Sequence, residues 1–198
     1  MAEQNLFQSQ DGGSIPTSPL QIFLKEIDNS TAKVFCFSWH YSKTCPPCKY
    51  IFGAFYNNFL IGIIAFGQPA MRNQSQCYNA VLELRRLCLI DKAPKNSESR
   101  FISVALKLLR KKGIKGNIIS LADPEHGHTG MIYRAANFKY LGLERGGGSR
   151  KIIINGISYH SRTAFQRFGA SGIKKLKILF QDVKIFDKKR KHVYSISI

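Results

Sequence analysis

The chain is read as an α/β protein with a mixed central sheet flanked by helices, and three observations support that class. Apolar β-branched runs alternate with segments of helical periodicity: Tyr50 to Phe55, Phe59 to Phe66, Ala80 to Asp91 and Asn117 to Ala122 read as strands, and Glu98 to Lys112 reads as a helix. The order of hairpin, long strand, helix, strand, helix, strand calls for layers around one sheet. At 198 residues with 44% hydrophobic content the chain can bury a substantial core.

The elements follow in chain order. Residues 1 to 20 are rich in Gln, Ser, Gly and Pro and are expected to form a mobile arm, followed by one domain over 21–198 with its core at about 34–145. Ala32 to Phe37 fits an early strand or a helix-strand pair. The turn Tyr56-Asn-Asn-Phe59 joins two apolar runs, and Asn tolerates the positive φ of a tight hairpin. In the long strand, Leu82, Leu84, Cys88 and Ile90 share one parity, and Glu83 and Arg85 the other. Asn96 and Ser97 cap the helix in which Phe101, Val104, Ala105, Leu108 and Leu109 recur, and Gly113 stops it. A second helix is expected from Thr129 to Asn137, then a strand from Phe138 to Gly142. Beyond 146 a basic extension contains a strand from Lys151 to Ile154, a helix from Ile173 to Phe180, and a last hairpin formed by Val183 to Phe186 with His192 to Ile198.

Charge narrows the function class. The formal net charge is +18. It is concentrated in the last quarter: Arg145 to Lys191 holds thirteen Lys and Arg against two Asp, whereas residues 1 to 30 hold one Lys against four acids. Such a field suits a polyanion, and nucleic acid is the leading partner. Arg145, Arg150 and Lys151 frame a glycine loop at Gly146 to Gly148, Lys174 and Lys175 lie in the C-terminal helix, and Lys189 and Arg190 sit at the last hairpin tip. All are candidate phosphate contacts. No apolar run reaches bilayer length, and Met1 to Asn5 lacks a basic region leading into an apolar one, so a cytoplasmic protein is expected. Five cysteines in such a chain argue against a disulfide framework. Cys45-Pro-Pro-Cys48 has the spacing of a redox pair or half a zinc site, and Cys36 and Cys88 read as small core residues in strands.

Chemistry gathers in Ser120-Leu-Ala-Asp-Pro-Glu-His-Gly-His128, a carboxylate and two imidazoles in the loop that leaves a buried strand. The architecture resembles the GNAT acyltransferases. Tyr133-Arg-Ala-Ala-Asn137-Phe138 is similar to that superfamily's closing motif, with Asn in the Gly position. The superfamily's glycine-rich pyrophosphate loop corresponds here to Asp91 through Arg100, which contains no glycine. A helix N-terminus with Lys95 and Arg100 nearby can still receive an anion.

Several motifs in one order resemble a narrower family, the phage Mom DNA-modification proteins. They are Trp39-His40-Tyr41-Ser42, Phe52-Gly53, Ile61-Gly62, Phe66-Gly67, Leu82-Glu83-Leu84-Arg85-Arg86-Leu87, Ala105-Leu106-Lys107, the block Ser120 to His128 with Gly130, Ile132 and Tyr133, and Lys191-His192-Val193-Tyr194. The resemblance runs from Trp39 to Gly142 and includes the tail; Cys45-Pro-Pro-Cys48 stands outside it. It implies an enzyme that places an acetamido (methylcarbamoyl-type) group on the exocyclic amine of adenine in double-stranded DNA, protecting phage DNA from restriction in the infected bacterial cell. The donor is left open between acetyl-coenzyme A and an aminoacyl compound.

An adenine amine needs a base as its new bond forms, and His40, Asp123, His126 and His128 are the candidates. Tyr41, Ser42, Ser120 or Tyr133 could donate to an oxygen or a leaving group. Trp39, Tyr41 or Tyr133 could stack on a flipped base. Arg85 and Arg86 could orient a carboxylate or phosphate, with Lys95 and Arg100 completing the cofactor contacts. His126 and His128 with Asp123 or His40 form a candidate iron or zinc site. Two other classes stay open at this point: an acetyltransferase acting on a protein or small amine, and a non-catalytic DNA-binding phage protein.

Overall fold

Two apolar strands joined by two asparagines start the sheet. In the computed structural model, which describes residues 15–70, 72–145, 150–170 and 172–198, β2 (Tyr50–Tyr56) and β3 (Phe59–Gly67) pair antiparallel around Asn57 and Asn58. Both asparagines take positive φ, 46° and 65°, the geometry that matches a two-residue turn to strand twist. Residues 1–14 of the expected arm and Gly146 to Gly148 of the glycine loop lie outside the described residues.

By its contacts the chain divides into two compact units, one of residues 1–121, 130–141 and 193–198, the other of 122–129 and 142–192. The second unit takes in the basic extension expected from 146 together with the Asp123 to His128 turn.

The first unit is built on a seven-stranded sheet of order β1-β2-β3-β4-β5-β10-β6. Its strands are β1 (Phe23–Glu26), β2, β3, β4 (Ala80–Leu89), β5 (Asn117–Ala122), β6 (Lys139–Leu143) and β10 (His192–Ser197). The first four pair antiparallel and β4 pairs β5 in parallel. The segment that left strand and helix open is helix α1 (Asn29–Trp39). Its N-cap Asp28 accepts from the Thr31 amide, and the Ser30 hydroxyl contributes most to holding that carboxyl down at about 2. Cys36 therefore sits in a helix. Ala32, Phe35 and Cys36 pack on Ile51, Ile63, Ala65 and Cys88 of the sheet. α3 (Ser97–Lys111) buries Phe101, Ala105 and Leu109 of the expected stripe, but Ile102 and Leu106 complete the buried face in place of Val104 and Leu108, which are half-buried, so the face is turned toward Ile102. α2 (Arg72–Tyr78), a polar segment with no apolar period, was not legible in the sequence. α4 (Met131–Ala135) is shorter than expected.

The single parity expected along β4 breaks at a bulge. Phe66 pairs Leu84 and Ala65 pairs Arg86, so Arg85 is the extra residue. The alternation is shifted by one beyond it, which puts Cys88 on the face opposite Leu82 and Leu84 and into the α1 cluster.

The second unit holds β7 (Arg150–Ile154), β8 (Ile157–His160), α5 (Ser161–Phe168), α6 (Ile173–Leu179) and β9 (Val183–Asp187), with sheet order β8-β7-β9. The basic helix and a hairpin are present as expected, but the hairpin is β7–β8. The β9–β10 hairpin does not form, because β9 pairs β7 whereas β10 joins the large sheet. Ile152, Ile154, Ala164, Ala170, Leu176 and Val183 form this unit's own core. Among the described residues no helix is long and apolar enough to cross a membrane.

Gly130, the N-cap of α4, has φ 77°, and an added Cβ would overlap the ring of Tyr194. Gly130→Ala is expected to lose about 2–5 kcal/mol from left-handed strain and overpacking. Urea unfolding measures it, and an unchanged midpoint would refute this packing.

Candidate active site

β4 and β5 run together only part of the way. Their pairing ends at Leu84 and Ser120, although β4 continues beside β3 to Leu89. Beyond the bulge, the side of β4 that faced β5 has no strand partner among the described residues, and the centre of the sheet opens.

Buried polar groups collect at the parting point. Glu83, 6% exposed, is paired with Ile119, and its carboxylate accepts the Ala70 amide at 2.6 Å. Ser120 is fully buried and Tyr133 nearly so. Burial pushes the Tyr133 phenol above its usual range, the neighbouring Ser120 hydroxyl opposes that shift, and Tyr41 and Glu83 add to it. The Ser120 hydroxyl lies within influence of that phenol without completing a hydrogen bond. Glu83 had not been singled out as a catalytic candidate. A lone acid on the apolar strand Leu82-Glu83-Leu84 was the signal that could have found it.

His40 follows α1 and is buried, and its ring lies 4.3 Å from the exposed Tyr41 ring. Its Nδ1 accepts the Ser42 amide at 3.0 Å and stands 2.8 Å from the Ser42 hydroxyl. In the neutral ring the proton therefore sits on Nε2, which makes His40 a donor there rather than a base. The Ser42 hydroxyl also donates to the Thr44 carbonyl, and Arg86 grips Thr44 through its carbonyl at 2.7 Å and its hydroxyl at 3.2 Å. A third Arg86 bond goes to the Arg85 carbonyl, so this guanidinium positions the loop instead of standing ready for a cofactor. Arg85 occupies the bulge, its stem close to Gly67. Arg100 is tied by Nε to the Pro19 carbonyl at 2.9 Å. Trp39 is 45% exposed at the end of α1.

A cavity of about 400 Å³ opens at the start of α3, lined by Leu89, Lys95, Ser97, Met131, Ile132 and Ala135 among others. Asn96, the N-cap, takes left-handed φ and makes no side-chain capping bond, and the buried Ser97 hydroxyl has no hydrogen-bond partner among the described residues. The Ser97 hydroxyl and the helix N-terminus beside Lys95 are groups that can receive an anion, with Asp91 and Glu98 sharing the lining and the Ser97 amide already donated to the Pro94 carbonyl.

Asp123, His126 and His128 belong to the second unit. Asp123 caps the turn through Glu125 N–H and pairs with Lys191 at 3.3 Å, while Glu125 accepts the Lys189 amide at 3.2 Å. These carboxylates hold the basic segment after β9. The His126 and His128 rings are 6.3 Å apart. Among the described residues no group of three or more His, Cys, Asp or Glu is arranged to hold a metal ion, so the expected iron or zinc site lacks its third donor. Arg145, Arg150, Lys151, Lys174, Lys175, Lys189 and Arg190 are exposed, with Arg150 bridged to Asp187 at 3.1 Å.

Cys36, Cys45, Cys48 and Cys88 are buried in one cluster as free thiols. Cys45 is held low, at about 7, chiefly by the Cys36 thiol and then by Arg86, whereas burial raises Cys48 and Cys88 to about 11. The Cys36 thiol and the Arg86 charge thus favour the thiolate of Cys45 below its ordinary titration range. Thiolate absorbance near 240 nm should rise with a midpoint at about pH 7, and Cys36→Ala and Arg86→Gln should both move it upward. Absence of any such midpoint below pH 8 would contradict the assignment.

A sequence model of the Mom protein family matches residues 21–197. The protein named methylcarbamoylase mom, from Escherichia phage Mu, is 32% identical over 144 residues, 68% of this chain and 58% of that protein. The match therefore spans less than two thirds of the relative's length. An N-acetyltransferase structure from Staphylococcus aureus Mu50 superposes with TM-score 0.51 at 13% identity, over 89% of this chain and 97% of the other. An aminoglycoside 6'-N-acetyltransferase from Enterococcus faecium gives 0.48 at 14% identity, over 88% and 96%. The GNAT-like fold expected from the sequence is the fold observed.

Proposed function

The chain belongs to the Mom protein family, and from that membership we propose that it modifies adenine in double-stranded DNA, placing an acetamido (methylcarbamoyl-type) group on the exocyclic amine. The observation that carries this reading is the family match across residues 21–197. The name of the phage Mu relative, the acetyltransferase-like fold and the net charge of +18 support it. The site of action is the cytoplasm of an infected bacterium, where the product shields phage DNA from restriction.

The roles follow from the geometry of the first unit. The adenine amine is weakly nucleophilic because its lone pair is delocalised into the ring, so its proton must leave as the new bond forms. Glu83 is the base: it is a buried carboxylate at the parting of the strands, held by the Ala70 amide, and a carboxylate can take the amine proton as the new bond forms. Tyr133 stays protonated because burial raises its pKa, and it delivers a proton to the departing group, with Ser120 beside it. His40, fixed by Ser42, donates from Nε2 to a developing oxygen charge. Tyr41 and Trp39 offer exposed rings for a flipped base. Of the two donors left open, an aminoacyl compound carries both the two carbons and the nitrogen of the acetamido group, whereas acetyl-coenzyme A brings two carbons alone and would need a second, nitrogen-bearing reactant. Lys95, Ser97 and the N-terminus of α3 would hold the donor's anionic part. The exposed basic residues of the second unit supply affinity for the phosphate backbone.

Nucleosides from cells expressing the protein should contain a deoxyadenosine of increased mass. Glu83→Gln should lower its yield at least about 100-fold and Tyr133→Phe about 10-fold or more, the range expected for proton-transfer groups. Unmodified DNA from wild-type cells, measured by mass spectrometry, would refute the reading.

A further inference from the structure

The second unit packs both of its helices on one face of its sheet and leaves the other open. Ile152 and Ile154 of β7, Tyr159 of β8, and Val183 and Ile185 of β9 point toward Ala164 of α5 and Leu176 of α6. The antiparallel register fixes the opposite face. Lys151 lies between His160 and Phe186, and Ile153 lies between Ser158 and Lys184. Lys151, Ser158, His160 and Lys184 are exposed, as is Phe186 at 51%. No carboxylate shares this parity within the three strands. Asp187, the acid of β9, is on the other one, bridged to Arg150.

We propose that this open face enters the major groove of duplex DNA, an assignment that rests on the reading of DNA as the substrate. The major groove of B-DNA, roughly 12 Å wide, admits a two-stranded β-ribbon, and the antiparallel pair of β7 and β9, with axes about 4.8 Å apart, is such a ribbon, with β8 at the groove's rim. The deep, narrow major groove of A-form RNA does not admit such a surface. The chemistry of the face is that of a base-reading surface. Lys151 on the central strand suits the guanine O6 and N7 acceptors, Phe186 suits a thymine methyl, and Ser158 can bond to any base edge. Lys184 on the edge strand β9 is placed for a phosphate. The basic residues elsewhere in the unit give affinity without sequence information; this face supplies the sequence preference.

The test uses the full chain and a labelled duplex of about 20 base pairs, with binding followed by fluorescence anisotropy over a range of salt. Lys184→Gln should weaken binding about tenfold on every sequence and lower the salt slope by about one. Lys151→Gln and Phe186→Ala should weaken binding to preferred sequences about tenfold and flatten the difference between sequences. Lys111→Gln, the same charge change on α3, should stay within about twofold, and thermal melting checks that all variants fold. Methylation of guanine N7 in the major groove should weaken binding, whereas the minor-groove ligand netropsin should not compete. Wild-type protein that binds duplex DNA while the sheet variants match Lys111→Gln, or that is displaced by netropsin alone, overturns the groove assignment and leaves the substrate reading standing. Wild-type protein that binds no duplex DNA overturns both.

Discussion

The parting of β4 from β5 after Leu84 and Ser120 is the constraint on which the rest depends. A parallel pair normally satisfies its backbone along its whole length, and here the bulge at Arg85 ends that arrangement midway. The bulge has two effects at once. It turns Cys88 into the α1 cluster, and it leaves one side of β4 open beside a buried carboxylate, hydroxyl and phenol. A regular strand of the same composition would bury Glu83 with no opening through which its proton affinity could be used.

A second network keeps the opening dressed. Arg86, the first residue past the bulge, reaches Thr44, which bonds Ser42, which fixes the His40 ring. Asn29 at the start of α1 locks the far end of the same loop by a pair of bonds to the Cys48 backbone. Chemistry-bearing residues from α1 and β4 thus share one set of hydrogen bonds, and the acidic turn after β5 performs a comparable service in the second unit by holding Lys189 and Lys191.

The sequence made legible what periodicity and turn chemistry encode locally. The β2–β3 hairpin, α3 and β5 fall within a few residues of expectation, because the apolar repeat and the Asn57–Asn58 turn specify them without tertiary help. The β4 bulge was not legible: nothing in Leu82-Glu83-Leu84-Arg85-Arg86 marks which residue is extra, since the register is set by pairing with β3. The assignment of β10 to the large sheet was missed for the same reason, a long-range pairing overriding a short-range hairpin pattern. At the site, the Ser120 hydroxyl neighbours the Tyr133 phenol, and Tyr41 is near enough to raise the Tyr133 pKa. Arg86, a cofactor candidate by its charge, is a loop anchor, and the burial of Glu83 between two leucines depends on pairing that the local sequence does not specify.

Amide hydrogen exchange resolved along β4 tests the parting of the strands most directly. If the pairing ends where described, amides from Leu82 to Leu84 exchange slowly, while those from Arg86 to Leu89 that point away from β3 exchange faster by orders of magnitude. Uniform protection from Leu82 to Leu89 would mean that β5 accompanies β4 to its end, and there would then be no opening for a purine to enter.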